Sequence, residues 1–289
     1  GTIFKLADDE FMLVCGSPCT AWLKKSAYGF KDVTVTDVSD KIAALALQGP
    51  TSCTVLRKMG LDGITKVKPF NIHYFQFLGE SLMVSRTGFS GDLGYELWVK
   101  PEHALELWDA LYAAGADYGI HPFGEAATNM ARIEAGFIMP GFEFNEALKT
   151  VHFEHDQTPF ELNLGWLVDF GKRHFNGRSA LLQEQKRGPR YTLTKLDIEG
   201  NKTAGGSFLY GNKQCSLEIG YVTSAMWSPA VKANIALAMI KTEHLGDDIW
   251  AEIYYEKELR QYSKIARCKV KDKPFWTPAR ARANPPLDH

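Results

Sequence analysis

The sequence predicts an α+β protein that ends in a small antiparallel β-barrel. Two observations predict it. Over residues 1–150, strand-like and helix-like runs alternate, as they do in mixed modules. Over residues 191–272, six short apolar runs (YTLTKLDI, GSFLY, LEIGYVTSA, ANIALAMI, IWAEIYY and SKIARCKV) are separated by Gly and Asn at even spacing, which is the pattern of a barrel.

The elements follow in order. TIFKL and EFMLVCG read as two strands around Asp8-Asp9. Residues 18–28 read as a short helix with Ala21, Trp22 and Tyr28 as its apolar stripe. Strands are expected at 33–36 and 42–47. Gln48-Gly49-Pro50 then breaks the chain, and Thr51-Ser52 can cap a helix that runs to Gly60. Further strands are expected at 71–78, 81–86 and 95–99. Pro101-Glu102 opens a helix with Ala104, Leu105, Leu107, Trp108 and Leu111 on its apolar side, and a second helix spans about 124–135 and stops at Gly136. The expected division is a folded α+β region over 1–150, a connecting segment over 151–190, the barrel over 191–275 and a loose tail over 276–289.

Composition excludes several classes. The 289 residues are 45% hydrophobic and 23% charged, with a net charge of −1. Such a charge supplies no long-range attraction to nucleic acid or to an anionic membrane, and no apolar run reaches the ~20 residues that span a bilayer. Neither nucleic acid nor a membrane is expected as a partner. The five cysteines are scattered and odd in number. Cys15 and Cys19 lie four apart with no second pair at zinc spacing, so they read as reduced thiols. No signal peptide is read, and a cytoplasmic location is expected. The chain opens at Gly1 directly into a strand-like run, so upstream residues are expected to be missing.

Chemistry concentrates in Ser85-Arg86-Thr87-Gly88-Phe89-Ser90-Gly91-Asp92-Leu93-Gly94-Tyr95-Glu96-Leu97-Trp98. Three glycines within seven residues allow a tight turn that can lie close to a flat ligand. After the turn, alternation places Tyr95, Leu97 and Val99 on one face and Glu96 and Trp98 on the other. A carboxylate beside an aromatic ring can accept two hydrogen bonds from a flat heterocycle whose faces stack. Taken alone, Glu96 also fits a solvated strand position. Arg132 and Glu134, at the end of a helix, fit local helix-end electrostatics equally well.

Read together, these segments resemble the aminomethyltransferase (glycine-cleavage T-protein) family. The family carries S-R-T-G-(F/Y)-(S/T)-G-x-x-G-(F/Y)-E, then L-R-(L/I)-E-A-G, then G-x-V-T-S…S-P…K-x-N-I-A-L. Here these are Ser85–Glu96, Ala131–Gly136, and Gly220–Ser224 followed by Ser228-Pro229 and Lys232–Leu237. Ala46–Pro50 matches its L-Q-G-P segment, and Phe175–Leu181 resembles its F-(I)-G-R-E-A-L. The resemblance runs from Thr2 to about Phe275. It implies a three-lobed cloverleaf with folate in a central hole, and one-carbon transfer between a small substrate and tetrahydrofolate. It also implies that Glu96 binds the pterin edge and that Phe89 stands where family members often have a ring-packing Tyr; Tyr95, Trp98 and Arg132 are expected beside them at the cofactor. The family's catalytic Asp is expected immediately before Gly1, so no catalytic residue is assigned; Asp8 and Asp9 sit past the strand in a turn.

Two departures narrow the reading. Members acting on lipoyl-carrier substrates have an Arg four residues before the motif Arg. Here that residue is Thr128, next to Asn129, as in the dimethylglycine and sarcosine dehydrogenase branch. A small methylated donor is therefore expected as the partner, and a lipoyl carrier protein is less favoured. A non-catalytic branch that supports iron–sulfur enzymes carries K-G-C-Y-x-G-Q-E; the matching stretch here, Lys172–Ser179, has no Cys. Other candidates carry less. His152 and Glu154-His155-Asp156 lack a partner at metal-ligand spacing, Ser90 is not in a nucleophile elbow, Lys172-Arg173-His174 reads as a solvated loop, and Trp227 reads as a loop anchor.

Overall fold

The computed structural model describes residues 1–145 and 156–285. The described residues fall into two compact units: residues 1–122 together with the segment from 278, and residues 123–277. This division differs from the segments read from composition, because the helix ending near Gly136 groups with the barrel.

The first unit is built on a four-stranded antiparallel sheet. Its strands are β3 (Ala43–Gln48), β4 (Ile72–Phe77), β5 (Glu80–Ser85) and β6 (Gly94–Val99), in the order β3-β6-β5-β4. Ahead of it lie a hairpin of β1 (Thr2–Lys5) and β2 (Phe11–Val14) and the short helix α1 (Thr20–Ser26). Helices α2 (Ser52–Lys58) and α3 (Ala104–Gly115) cover one face of the sheet. The period-two alternation decides which face. Leu47, Leu82, Val84, Tyr95, Leu97 and Val99 are buried in one cluster with Val55 and Leu56 of α2 and Leu107 and Leu111 of α3.

The second unit contains α4 (Glu125–Glu134), α5 (Arg178–Arg187) and six strands: β7 (Tyr191–Ile198), β8 (Phe208–Tyr210), β9 (Glu218–Ser228), β10 (Ala233–Lys241), β11 (Ile249–Lys257) and β12 (Arg260–Lys271). The strands close into an antiparallel barrel in the order β10-β7-β12-β11-β8-β9, and each of the six expected runs became one strand. Strand β10 has no polar alternation because both of its faces are covered. Ala236, Ala238 and Ile240 join the barrel interior, while Ile235, Leu237 and Met239 pack outside with Ile133 of α4 and with Leu162.

Several expectations fail for physical reasons. Residues 33–36 form no strand, because a β-branched run needs a partner to pair with. No residue of α1 is buried, and Trp22 and Tyr28 of its expected stripe are exposed; its seven residues make only about two turns. Thr51 makes no side-chain cap on α2, and the Ser52 hydroxyl donates instead to the Leu93 carbonyl at 3.4 Å. Helix α5 went unread because it lacks an apolar stripe and buries only Glu184. Within the expected loose tail, residues 280–283 are held by the bonds described below. Among the described residues, no helix is long and apolar enough to cross a membrane.

The stripe of α3 is narrower than the sequence implied: Leu107 is fully buried, whereas Leu105 is 77% exposed. Leu107→Ala is expected to cost ~2–5 kcal/mol in denaturant unfolding, while Leu105→Ala should stay within ~0.5 kcal/mol. Equal costs would mean that α3 docks through another face.

Candidate functional site

The sheet face away from α2 and α3 carries the polar residues. Glu96 on β6 lies between Ala46 of β3 and Ser85 of β5. One carboxylate oxygen, Oε2, accepts a short hydrogen bond from the Thr87 hydroxyl and a longer one from Ser85 Oγ at 3.5 Å. Ser85 and Thr87 are themselves bonded at 2.7 Å, and Trp98 Nε1 donates to Ser85 Oγ at 3.1 Å. Among the described residues, the other oxygen, Oε1, takes no hydrogen bond. Phe4 of β1 packs edge-on against the Trp98 ring at 5.4 Å, and Ala44 and Ala46 keep the neighbouring surface low and exposed. The result is a fixed, half-buried carboxylate with one free acceptor oxygen, bordered by aromatic rings. It can take paired N–H donors from the edge of a flat heterocycle.

Tyr95, grouped with this site in the sequence reading, is on the opposite face. It is fully buried beneath the helices, and burial, followed by the neighbouring Cys53 thiol, pushes its phenol well above the ordinary range. The alternation that puts Glu96 outward requires Tyr95 to point inward, so Tyr95 belongs to the core.

The loop leading into β6 is shaped by Gln48. Its carboxamide nitrogen donates to the Thr87 carbonyl at 3.3 Å and the Tyr95 carbonyl at 3.2 Å, and its oxygen accepts from Ser90 Oγ at 2.7 Å. The carboxamide fills the space beside Gly88 and Gly94, where any Cβ would collide with it. A side chain at either position could be accepted only if the Gln48 carboxamide moved and gave up these bonds. Gly91, with φ +72°, serves the turn itself. Phe89 sits at the exposed tip of this loop. The C-terminal segment is pinned alongside. Arg280 makes a two-pronged ion pair with Asp92 at 2.7 and 2.6 Å, and the buried Arg86 guanidinium donates to the Arg280, Ala281 and Ala283 carbonyls and to the Val67 carbonyl.

In the second unit, the remaining motif residues meet in one buried network. Arg132 donates to Glu143 Oε2 at 2.7 Å, Ser224 Oγ at 2.7 Å, Asn129 Oδ1 at 2.8 Å and the Phe137 carbonyl at 3.1 Å. Neither side chain of the Arg132–Glu143 pair has any exposure. Glu143 also accepts from Thr223, Ser224 and the Met139 amide, while Glu134 accepts from Ser228 at 2.5 Å. A β-bulge makes this possible: Ser224 faces Leu237 and Val222 faces Ala238, so Thr223 is the extra residue and both neighbouring hydroxyls reach Glu143. Arg132, expected as a cofactor contact, is instead enclosed by protein partners and ties α4 to the barrel. Glu143 and Gln48 were not read as site-shaping residues. The signals for Gln48 in the sequence were its place between a strand and Gly49-Pro50 and its position in the L-Q-G-P segment.

The discarded candidates are placed as follows. His152, Glu154 and His155 lie outside the described residues, and no group of three or more His, Cys, Asp or Glu that could hold a metal occurs among the described ones. Ser90 serves Gln48, and Trp227 is 45% exposed. Lys172, Arg173 and His174 are exposed.

The GCVT N-terminal domain matches residues 1–172, and the glycine cleavage T-protein C-terminal barrel domain matches residues 193–276. An aminomethyltransferase of Caldanaerobacter subterraneus subsp. tengcongensis is 33% identical over 95% of this chain and 70% of its own length. An aminomethyltransferase of Thermoanaerobacter pseudethanolicus is 31% identical over 86% and 66%. A trimethylamine-oxide aldolase of Ruegeria pomeroyi is 36% identical over 84% of this chain but 31% of its own. The crystal structure of glycine cleavage system aminomethyltransferase T from Bartonella henselae aligns with a TM-score of 0.71 at 25% identity, over 89% of this chain and 65% of that one.

Two stability tests follow from these contacts. Glu143→Gln leaves a buried guanidinium without its counter-charge and should cost ~3–5 kcal/mol; a loss under ~1 kcal/mol in urea unfolding would show that the pair does not hold α4. Gly94→Ala should be clearly destabilising with Gln48 present and much less so in a Gln48→Ala background, because the collision partner is then gone. An identical Gly94→Ala penalty in both backgrounds would refute the clash.

Proposed function

The chain belongs to the aminomethyltransferase (glycine-cleavage T-protein) family of tetrahydrofolate-dependent one-carbon transferases, and on that premise we propose that its Glu96 face holds the pterin of tetrahydrofolate. We further propose that the reaction moves a one-carbon unit onto that folate from a small methylated compound. The chain spans about two thirds of the length of the aminomethyltransferases it matches, 70% and 66% for two of them.

The observation that carries the reading is the fixed carboxylate with a free oxygen. The amino-amide edge of a pterin offers two adjacent N–H donors, and Glu96 Oε1 and Oε2 present acceptors on the surface that Thr87 and Ser85 hold still. The donor set therefore fits the group. Trp98 and Phe4 border the place where the ring lies, Ala44 and Ala46 leave it room, and Phe89 at the loop tip is positioned to pack on it. Bound tetrahydrofolate supplies the amine nitrogen that receives the carbon. The protein's contribution on this face is orientation: a carboxylate held by two hydroxyls loses little freedom when the ligand arrives. Two described carboxylates are engaged by cations of the chain itself. Asp8 pairs with Lys5 at 2.9 Å in the β1–β2 turn, and Glu143 is committed to Arg132.

The donor is the finer question. Thr128, where lipoyl-dependent members carry an Arg, turns its hydroxyl back to the Gly124 carbonyl at 3.1 Å and offers no cation. Asn129 beside it is taken up by Arg132. The name of the Ruegeria relative refers to trimethylamine oxide, a small methylated compound. The names of the aminomethyltransferase relatives speak of aminomethyl transfer; the alternative reading is therefore glycine-cleavage transfer, with a lipoyl carrier protein as the donor.

Calorimetry of the full-length protein with tetrahydrofolate should show Glu96→Gln binding weaker by ~1.5–3 kcal/mol, the range for hydrogen bonds to a charged group; unchanged affinity removes Glu96 from the site. For the donor, turnover is expected with free methylated amines, ethers or sulfonium compounds, followed as 5-methyl- or 5,10-methylene-tetrahydrofolate. Robust activity in a reconstituted glycine-cleavage assay would instead establish the lipoyl-carrier alternative.

A further inference from the structure

Cys15 and Cys19 take no part in the hydrogen bonding around Glu96. They flank the turn between β2 and α1, four residues apart, with their sulfurs 3.4 Å apart. Cys15 is exposed and its Sγ also lies 3.0 Å from the Ser17 carbonyl, while Cys19 is half-buried. Cys53 and Cys268, by contrast, are buried in the two hydrophobic cores. A disulfide needs sulfurs ~2.05 Å apart, so this pair must close by roughly 1.4 Å.

We propose that Cys15 and Cys19 form a reversible dithiol–disulfide site that exchanges with low-molecular-weight disulfides. Cys15, the more accessible sulfur, reacts first. Its thiolate attacks one sulfur of the small disulfide, forming a mixed disulfide and releasing one thiolate. Cys19 then loses its proton to solvent, and its sulfur displaces the second thiolate from Cys15. Both leaving thiolates take up protons, so two small thiols form, the small disulfide is reduced by two electrons, and the cysteine pair is oxidised by two. The hydrogen bond to Cys15, aided by partial burial, holds the proton on Cys19 and keeps it in reserve for the second step. The resulting ring spans only residues 15–19 and sits at the surface. A short loop adds little by constraining the unfolded chain, so this disulfide belongs to the labile, exchangeable class.

The test uses the protein with all its cysteines, equilibrated with reduced and oxidised glutathione at graded ratios, acid-quenched, alkylated, and analysed by intact mass and peptide mapping. The expected product is lighter by two hydrogens, carries no glutathione, and has Cys15 linked to Cys19. Cys19→Ser is expected to accumulate a glutathione adduct on Cys15, because the displacing sulfur is gone, and Cys15→Ser should form far less adduct on Cys19. If Cys15 in the unaltered protein keeps its adduct to the same extent as in Cys19→Ser, the sulfurs do not reach each other and the proposal fails. It fails equally if Cys15 stays unmodified in both proteins at the highest oxidised ratio.

Discussion

A single half-buried carboxamide fixes the part of the molecule on which the candidate site is built. Gln48 ends β3, and its side chain bridges to the loop before β6, satisfying the carbonyls of Thr87 and Tyr95 and taking the Ser90 hydroxyl. Each bond contributes only ~0.5–1.5 kcal/mol net. Their joint effect is geometric, because the carboxamide occupies the volume that side chains at 88 and 94 would need. Thr87 is thereby held where its hydroxyl meets Glu96. The Asp92–Arg280 pair and the Arg86 contacts to the C-terminal carbonyls brace the other side of the same loop.

The second unit depends on a buried charge. Removing Arg132 and Glu143 from water carries a large desolvation cost, offset only by close pairing and full hydrogen bonding. The structure meets that condition with hydroxyls from a bulged barrel strand and with a backbone amide and carbonyl from the 137–143 turn. The arrangement makes specific demands on distant parts of the chain: an Arg and a Glu eleven residues apart, and a Thr-Ser pair some eighty residues further on. The Ala131–Gly136 and Gly220–Ser224 motifs, which read as separate segments, are therefore parts of one network.

The two units answer different needs. The sheet of the first is sealed by helices on one face, which frees the other to carry a half-buried carboxylate among small and aromatic residues. The barrel of the second buries both faces of β10 and so gives α4 a firm base. Neither arrangement requires long-range electrostatics, consistent with a chain whose net charge is −1.

By itself the sequence determined the elements with strong periodicity and the family. The six barrel runs, the alternation that turns Tyr95 inward and Glu96 and Trp98 outward, and the stop at Gly136 are all local patterns, and local patterns survive folding because side-chain direction follows from backbone geometry alone. Tertiary structure decided what depends on contacts between distant residues. It turned Arg132 from a ligand candidate into a strut, held a tail that looked loose, left residues 33–36 without a strand partner, and left the α1 stripe unburied. It also revealed why Gly88 and Gly94 are glycines, since the atom that excludes a Cβ there belongs to a residue about forty positions earlier in the chain. Spacing along one segment carries no trace of such a neighbour; only the packed sheet brings it near.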